Sequence, residues 1–260
     1  MEAGGGVKHL RRLKRIAGSL GVAAFWLGLW QLAAWLVGSP FVLPSPLAVF
    51  SRLSTLIFER DFAISTAWSV YRVLLSLLIA VSSGVVLGGL SFVSPLARRL
   101  IAPAMLAIRS APVVSFIILA IMWMDSNYLP VFISLLMCLP VIWGNVLQGL
   151  GAVDGRLVEM SELYGVSRTK VWKQLYLRAV WPYLNAALFT CLGLGFKVTV
   201  AAEVLSSPKY AIGYQMYVSK LTLETEAAYA WTVVILLLSL LFEVWLKHLL
   251  KRDSERREAA

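Results

Sequence analysis

VLLSLLIAVSSGVVLGGLSFV, from Val73 to Val93, runs for 21 residues without a charged side chain. At 1.5 Å of rise per residue, a helix of that length covers about 30 Å, the thickness of the hydrocarbon core of a bilayer. Hydrocarbon offers backbone amides no partner, so a spanning segment is either a helix or a strand of a closed barrel. Barrel strands alternate apolar and polar residues over about ten positions. This stretch does not alternate, so it reads as a membrane-crossing helix.

Similar runs flank it. With edges uncertain by a few residues, the six segments are Gly18–Val37, Val73–Val93, Ile101–Met124, Tyr128–Leu147, Tyr183–Leu205 and Ala227–Leu246. The third is interrupted by Pro103, Arg109 and Pro112, so it reads as a broken or partly re-entrant segment. Composition agrees: of 260 residues, 59% are hydrophobic and 15% charged, with a mean hydropathy of +0.77. A soluble domain carries roughly 25% charged residues. The fold class is therefore an all-α integral membrane protein with about six transmembrane helices.

Basic residues set the orientation, because cytoplasmic loops are rich in Lys and Arg. Seventeen of the 24 fall in four stretches that six crossings place on one side. They are the tail with Lys8, Arg11, Arg12, Lys14 and Arg15, the Arg98-Arg99 turn, the connection carrying Arg156, Arg168, Lys170, Lys173 and Arg178, and the tail with Lys247, Lys251, Arg252, Arg256 and Arg257. Both termini are thus expected in the cytoplasm. The net charge of +10 is a topology signal and calls for no nucleic acid. Residues 1–16 form a basic cytoplasmic tail, 17–250 a membrane domain, and 251–260 a second cytoplasmic tail. Cys138 and Cys191 each lie inside an apolar run and form no C-x-x-C spacing, so they read as small buried residues.

The connection from about 149 to 182 is too long for a turn, and its pattern is helical. Leu157, Met160, Leu163 and Tyr164 recur at three- and four-residue spacing, followed by Val171, Leu175 and Tyr176. Gly165 separates the two stretches, and Ser167 stands in a capping position for the second. Two short helices around a glycine turn make a docking surface; an amphipathic helix on lipid headgroups is the alternative.

Glu159-Met160-Ser161-Glu162-Leu163-Tyr164-Gly165, then nine residues and Leu175-Tyr176-Leu177-Arg178, resembles the EAA loop of ABC importer permeases, E-A-A-x-x-x-G-x9-I-x-L-P. Met160 and Ser161 replace the alanines, and Arg178 replaces the proline. Val42-Leu43-Pro44-Ser45-Pro46, Ser69-Val70-Tyr71-Arg72-Val73, Ala201-Ala202-Glu203 and Ile212-Gly213-Tyr214 are similar to elements of the nitrate/sulfonate/taurine-type branch. Trp123-Met124-Asp125 departs from that branch's W-F-G. The resemblance implies the type I importer (MetI-like) architecture and a transport subunit that is not itself an enzyme. It also implies cytoplasmic ATPase subunits, an extracytoplasmic solute-binding protein that selects the cargo, and a second permease copy, all in a bacterial inner membrane. Glu159, Ser161, Glu162, Gly165, Leu175 and Leu177 would then couple to the ATPase, with the binding protein docking around Ser206–Tyr217 and Asp125–Tyr128.

Other chemistries find little support. No G-x-x-x-x-G-K-S/T phosphate loop occurs, and both histidines, His9 and His248, sit in or beside the basic tails. No cofactor is implied. A six-helix secondary transporter or channel is the alternative, and its usual inverted repeats and coupling carboxylates are not evident. Four polar residues within the apolar segments are candidates for the translocation pathway: Arg109, Asn145, Lys197 and Glu203. Each also has a structural reading, as an ion pair or a hydrogen bond. Arg72 is expected to snorkel at a membrane edge, and Glu243 to pair with Lys247 one turn on. Gly84 and Gly88 form a G-x-x-x-G that allows close helix contact, within the subunit or across a dimer.

Overall fold

The computed structural model describes residues 21–258, with side-chain surroundings for 21–250. The N-terminal basic tail, the first residues of the opening apolar run and the side chains of the C-terminal tail lie outside the described residues. The described chain is helical throughout its regular structure. It comprises α1 (Gly21–Val37), α2 (Pro46–Leu56), α3 (Arg60–Val93), α4 (Pro95–Ser110), α5 (Val113–Ile121) and α6 (Leu129–Gly151). These are followed by α7 (Gly155–Leu163), α8 (Arg168–Val171), a π-helical turn (Trp172–Tyr176), α9 (Leu177–Ser206), α10 (Ile212–Leu221) and α11 (Thr225–Glu258).

Among the described residues, four helices are long and apolar enough to cross a bilayer: α3, α6, the continuous α8–α9 rod and α11. The bent α4–α5 pair makes a fifth, and α1 contributes 17 described residues of the first run. The third segment is broken, as its prolines predict, but at one place only. Pro103 is accommodated inside α4, whereas Ala111, which precedes Pro112, is extended at φ −82° and ψ 144°. The ring of a proline disfavours helical backbone in the residue before it, and α5 leaves at 98° to α4.

Two helices went unanticipated. The first, α2, starts where Ser45 accepts a hydrogen bond from the Ala48 N–H and Pro46 occupies the first turn. A serine cap followed by proline is a helix-start signal that the short run obscured. The second, α10, lies in the stretch read as an outer loop. The second half of the long connection is also different from expectation. It is no separate short helix, because α8, the π turn and α9 run on as one rod from Arg168 to Ser206.

At the centre of the bundle, α6 packs most extensively against α9 and α3. Small residues make this possible. A Cβ on Gly84 would stand 2.7 Å from Ile142, and one on Gly88 2.7 Å from Val146, so the G-x-x-x-G is a seat for α6 within the subunit. Cys138 and Cys191 exchange thiol-to-carbonyl hydrogen bonds across α6 and α9, at 3.5 and 3.6 Å. A second cluster joins α2, α10 and α11 around Trp231, against which Phe62 stacks at 5.3 Å. Beyond that cluster α11 packs Leu238, Phe242 and Leu246 against Val73, Leu192 and Phe196, while Leu236, Leu240 and Val244 face outward.

Candidate functional sites at the two ends of the bundle

Asp154 starts α7 by accepting a hydrogen bond from the Arg156 N–H at 2.9 Å. The helix closes with two backbone bonds, Val166 N–H to Ser161 C=O at 2.9 Å and Gly165 N–H to Glu162 C=O at 3.0 Å. That closure puts Gly165 in the left-handed region, at φ +65°, the usual role of glycine one residue past a helix. Nothing lies within 4 Å of the place a Cβ would occupy, so backbone conformation and not space demands the glycine. Ser167 has the extended backbone of a capping residue but makes no side-chain cap bond.

Between the two arms lies a cavity of about 340 Å³, lined by Leu157, Met160, Ser161, Tyr164, Val171 and Leu175 among others. The outer surface of the hairpin carries Leu163 and Tyr164, 86% and 80% exposed, beside the exposed Glu159 and Glu162. The exposed outer surface of the hairpin thus combines two adjacent apolar side chains with two carboxylates. The six coupling candidates separate by position. Ser161 and Leu175 face the cavity, Gly165 makes the turn, and Glu159 and Glu162 point outward. Leu177 is exposed on α9 and does not line the cavity. Aromatic contacts fasten the return arm to α3, with Phe92 meeting Tyr176 edge-on at 5.5 Å and Trp172 at 6.4 Å.

The opposite end holds a buried polar network. Arg72 of α3 is only 3% exposed, and Nη1 meets Glu203 Oε1 at 3.0 Å. Its remaining bonds go to the Tyr210 C=O at 2.8 Å and, from Nε, to the Asn127 C=O at 3.2 Å. Glu203 is fully enclosed. It accepts from the Gly213 N–H at 3.1 Å and has the Ser69 hydroxyl 2.8 Å from both carboxylate oxygens. Ser69 Oγ in turn accepts the Ile212 N–H at 2.9 Å. One arginine and one carboxylate thereby join α3, α9, the start of α10 and the two loops before α6 and α10.

Arg72 is thus a correction. It does not snorkel; it is almost enclosed by protein, with Glu203 against Nη1 and two backbone carbonyls satisfied. Buried charges persist when paired and hydrogen-bonded in this way. Ser69 and Gly213 belong to the network and were not singled out as site residues. The only sequence signal for the pair was that Arg72 begins one apolar run and Glu203 ends another, which places opposite charges at the same end of the bundle.

The other pathway candidates do not converge on it. Lys197 is exposed on α9, Arg109 is exposed near the end of α4, and Asn145 is half-buried, donating to the Val141 C=O at 2.9 Å. Along α9, Pro182, Ala186, Thr190, Lys197 and Ala201 are all exposed at near-helical spacing. This small-residue stripe with one cation is left uncovered by the described residues. Glu243 and Lys247 pair as expected, at 2.7 Å.

These features define a class: a multi-pass helical membrane protein with a central three-helix core and a structured hairpin projecting from one end. The chain belongs to the family described as binding-protein-dependent transport system inner membrane component, whose pattern it matches over residues 77–253. It is the permease subunit of an ABC importer. It is 27% identical to the taurine transport system permease protein of Escherichia coli over 94% of each chain. It is 29% identical to the putative aliphatic sulfonates transport permease protein of the same organism, over 84% of this chain and 83% of that one. The nitrate import permease protein of Synechococcus elongatus is 22% identical over 73% of this chain and 71% of its own. Among solved structures, a bacterial ABC transporter involved in alginate import has the same fold, with a TM-score of 0.65 over 94% of this chain and 98% of that one at 16% identity.

Proposed function

We propose that this permease forms half of the translocation pathway for a small anionic or organic solute of the nitrate, sulfonate or taurine kind. An extracytoplasmic binding protein delivers the solute, and ATPase subunits on the hairpin side power the import. The supporting observation is the α7–α8 hairpin. Its glycine-closed tip presents Leu163 and Tyr164 beside Glu159 and Glu162, a surface suited to an apolar groove with basic or amide groups. The hairpin side is cytoplasmic in this reading, both termini lie there, and the membrane is a bacterial inner membrane. Two copies pair around the uncovered stripe of α9, so that Lys197 faces the solute. Arg109 and Asn145 contribute at its margin, while Glu203 acts indirectly by fixing α9 at the far end.

The test is co-purification and uptake with the cognate ATPase. A Gly165→Arg variant forces a bulky side chain into left-handed backbone at the tip, so it is expected to lose both the ATPase partner and uptake while still inserting in the membrane. Retention of the partner and full uptake would remove the coupling role from this hairpin. Uptake that continues without any ATPase subunit would remove the importer reading and leave a secondary carrier.

A further inference from the structure

Beside the Arg72 network is a cavity of about 390 Å³, on the face where the binding protein is expected to dock, to which the permease reading assigns no ligand. Its walls include Trp68, Tyr71, Arg72, Tyr128, Lys209 and Tyr210. That volume lies within the range of small-molecule sites, roughly 300–1,000 Å³. We propose that this cavity binds a small oxyanion, a sulfonate, carboxylate or phosphate group on a short apolar body, between Arg72 and Lys209.

Charge on the two faces of Arg72 differs. Glu203, the partner of Nη1, does not line the cavity and is fully enclosed on the far side by Ser69 and Gly213. Nε is committed to Asn127, whereas Nη2 makes no hydrogen bond among the described residues. A nearly buried guanidinium with an unused pair of N–H donors is therefore held rigidly at the cavity wall. Lys209 adds a second cation, its Nζ 5.4 Å from the centre of the Tyr210 ring. No acidic side chain is among the lining residues. Asp125, the acid nearest in sequence to Asn127, has its Oδ1 occupied by the Asn127 N–H at 2.8 Å.

Apart from Asn127, the remaining wall is aromatic and aliphatic. Trp68 stands 5.8 Å from the Arg72 guanidinium, and Tyr71, Leu75, Tyr128 and Val131 complete the surface. A free inorganic ion would leave that surface bare, while an oxyanion with a short hydrocarbon body would cover it. A soluble organic anion and the headgroup region of an anionic lipid share this chemistry.

The two sources separate in one experiment on the purified protein in phosphatidylcholine nanodiscs. Melting temperature is followed while butanesulfonate is added against chloride at equal ionic strength, and separately as phosphatidylglycerol replaces phosphatidylcholine. A saturable rise with butanesulfonate assigns the site to a soluble anion; a rise with phosphatidylglycerol alone assigns it to lipid. Lys209→Gln should weaken the apparent affinity about tenfold, the loss of one charge-assisted contact. Leu75→Phe, which fills the cavity, should abolish the response, and Lys209→Gln decides alone if that variant does not fold. No rise with either anion, or a rise that Lys209→Gln leaves unchanged, overturns the proposal. Transport is not part of the readout, so failure here leaves the importer reading standing.

Discussion

Replacing Arg72 by Met is the most informative perturbation of the buried network. It removes the cation that faces Glu203, and Glu203 has no solvent to turn to. Stripping one partner from a buried pair costs about 3–5 kcal/mol, because an uncompensated charge stays behind. At about 2–4 °C per kcal/mol for a chain near this size, melting should fall by roughly 6–20 °C. The control is Lys247→Met. Its ion pair with Glu243 is shorter, 2.7 Å against 3.0 Å, but the two side chains are 63% and 42% exposed. Exposed helix pairs contribute about 0.3–0.5 kcal/mol, so that variant should melt within about 2 °C of the parent. The double variant Arg72→Met/Glu203→Gln keeps an acceptor for Ser69 and Gly213 and leaves no charge unmatched. It should recover at least half of the loss, a coupling within the range of contacting pairs. Thermal unfolding of the purified protein in detergent, followed by size-exclusion chromatography, reads all four proteins. If Arg72→Met melts like the parent, or the double variant melts no higher than Arg72→Met, the ion pair does not hold this end together.

Three further outcomes test the packing and the pathway. Gly213→Ala places a Cβ 2.5 Å from the Glu203 Cβ and 2.6 Å from the Val200 carbonyl oxygen. It should cost at least the roughly 1–3 kcal/mol of an overpacked core, seen as a lower melting temperature and faster proteolysis of the α9–α10 loop. Gly84→Ala should destabilise by a similar amount through Ile142, whereas Gly89→Ala meets nothing within 4 Å and should be neutral or gain up to about 1 kcal/mol in helix propensity; equal effects in a thermal scan would refute the α3–α6 seat. Lys197→Gln should lower uptake of an anionic solute severalfold with melting unchanged, and Lys197→Arg should restore it; full uptake by the glutamine variant would take Lys197 out of the pathway.

Sequence periodicity located the long helices because apolar runs of bilayer length have few alternatives. It also found the hairpin, where Gly165 and the spacing of Leu157, Met160 and Val171 act locally. It was poorer wherever the deciding partner is remote. Arg72 and Glu203 are 131 residues apart, and an arginine near the start of an apolar run looks the same whether it faces headgroups or a carboxylate. Gly84 and Gly88 posed the same difficulty, since a small-residue seat does not say which helix sits in it. The α10 helix was missed for another reason. It is short, and its polar residues, such as Ser219 and Gln215, bond to α10 itself or to Ser65 of α3, which blurs any apolar stripe.

The two candidate sites share one element. From Arg168 to Ser206 the chain is a single helical rod of 39 residues, about 58 Å at 1.5 Å per residue. Its first turns form one arm of the hairpin, and Glu203 near its last turn closes the buried network. Displacement of the hairpin by a partner therefore reaches the far end without passing through a loop. Two features decide how it is transmitted. The π-helical turn Trp172–Tyr176 inserts an extra residue just where Phe92 of α3 grips the rod, and such turns are frequent at functional sites. Arg72 then anchors the other end to α3 as well. The rod is thus held to the same neighbouring helix at both ends, with its π-helical turn at one of them. The uncovered stripe around Lys197 lies between the two anchors, so the proposed coupling from hairpin to pathway has a continuous helix to act through.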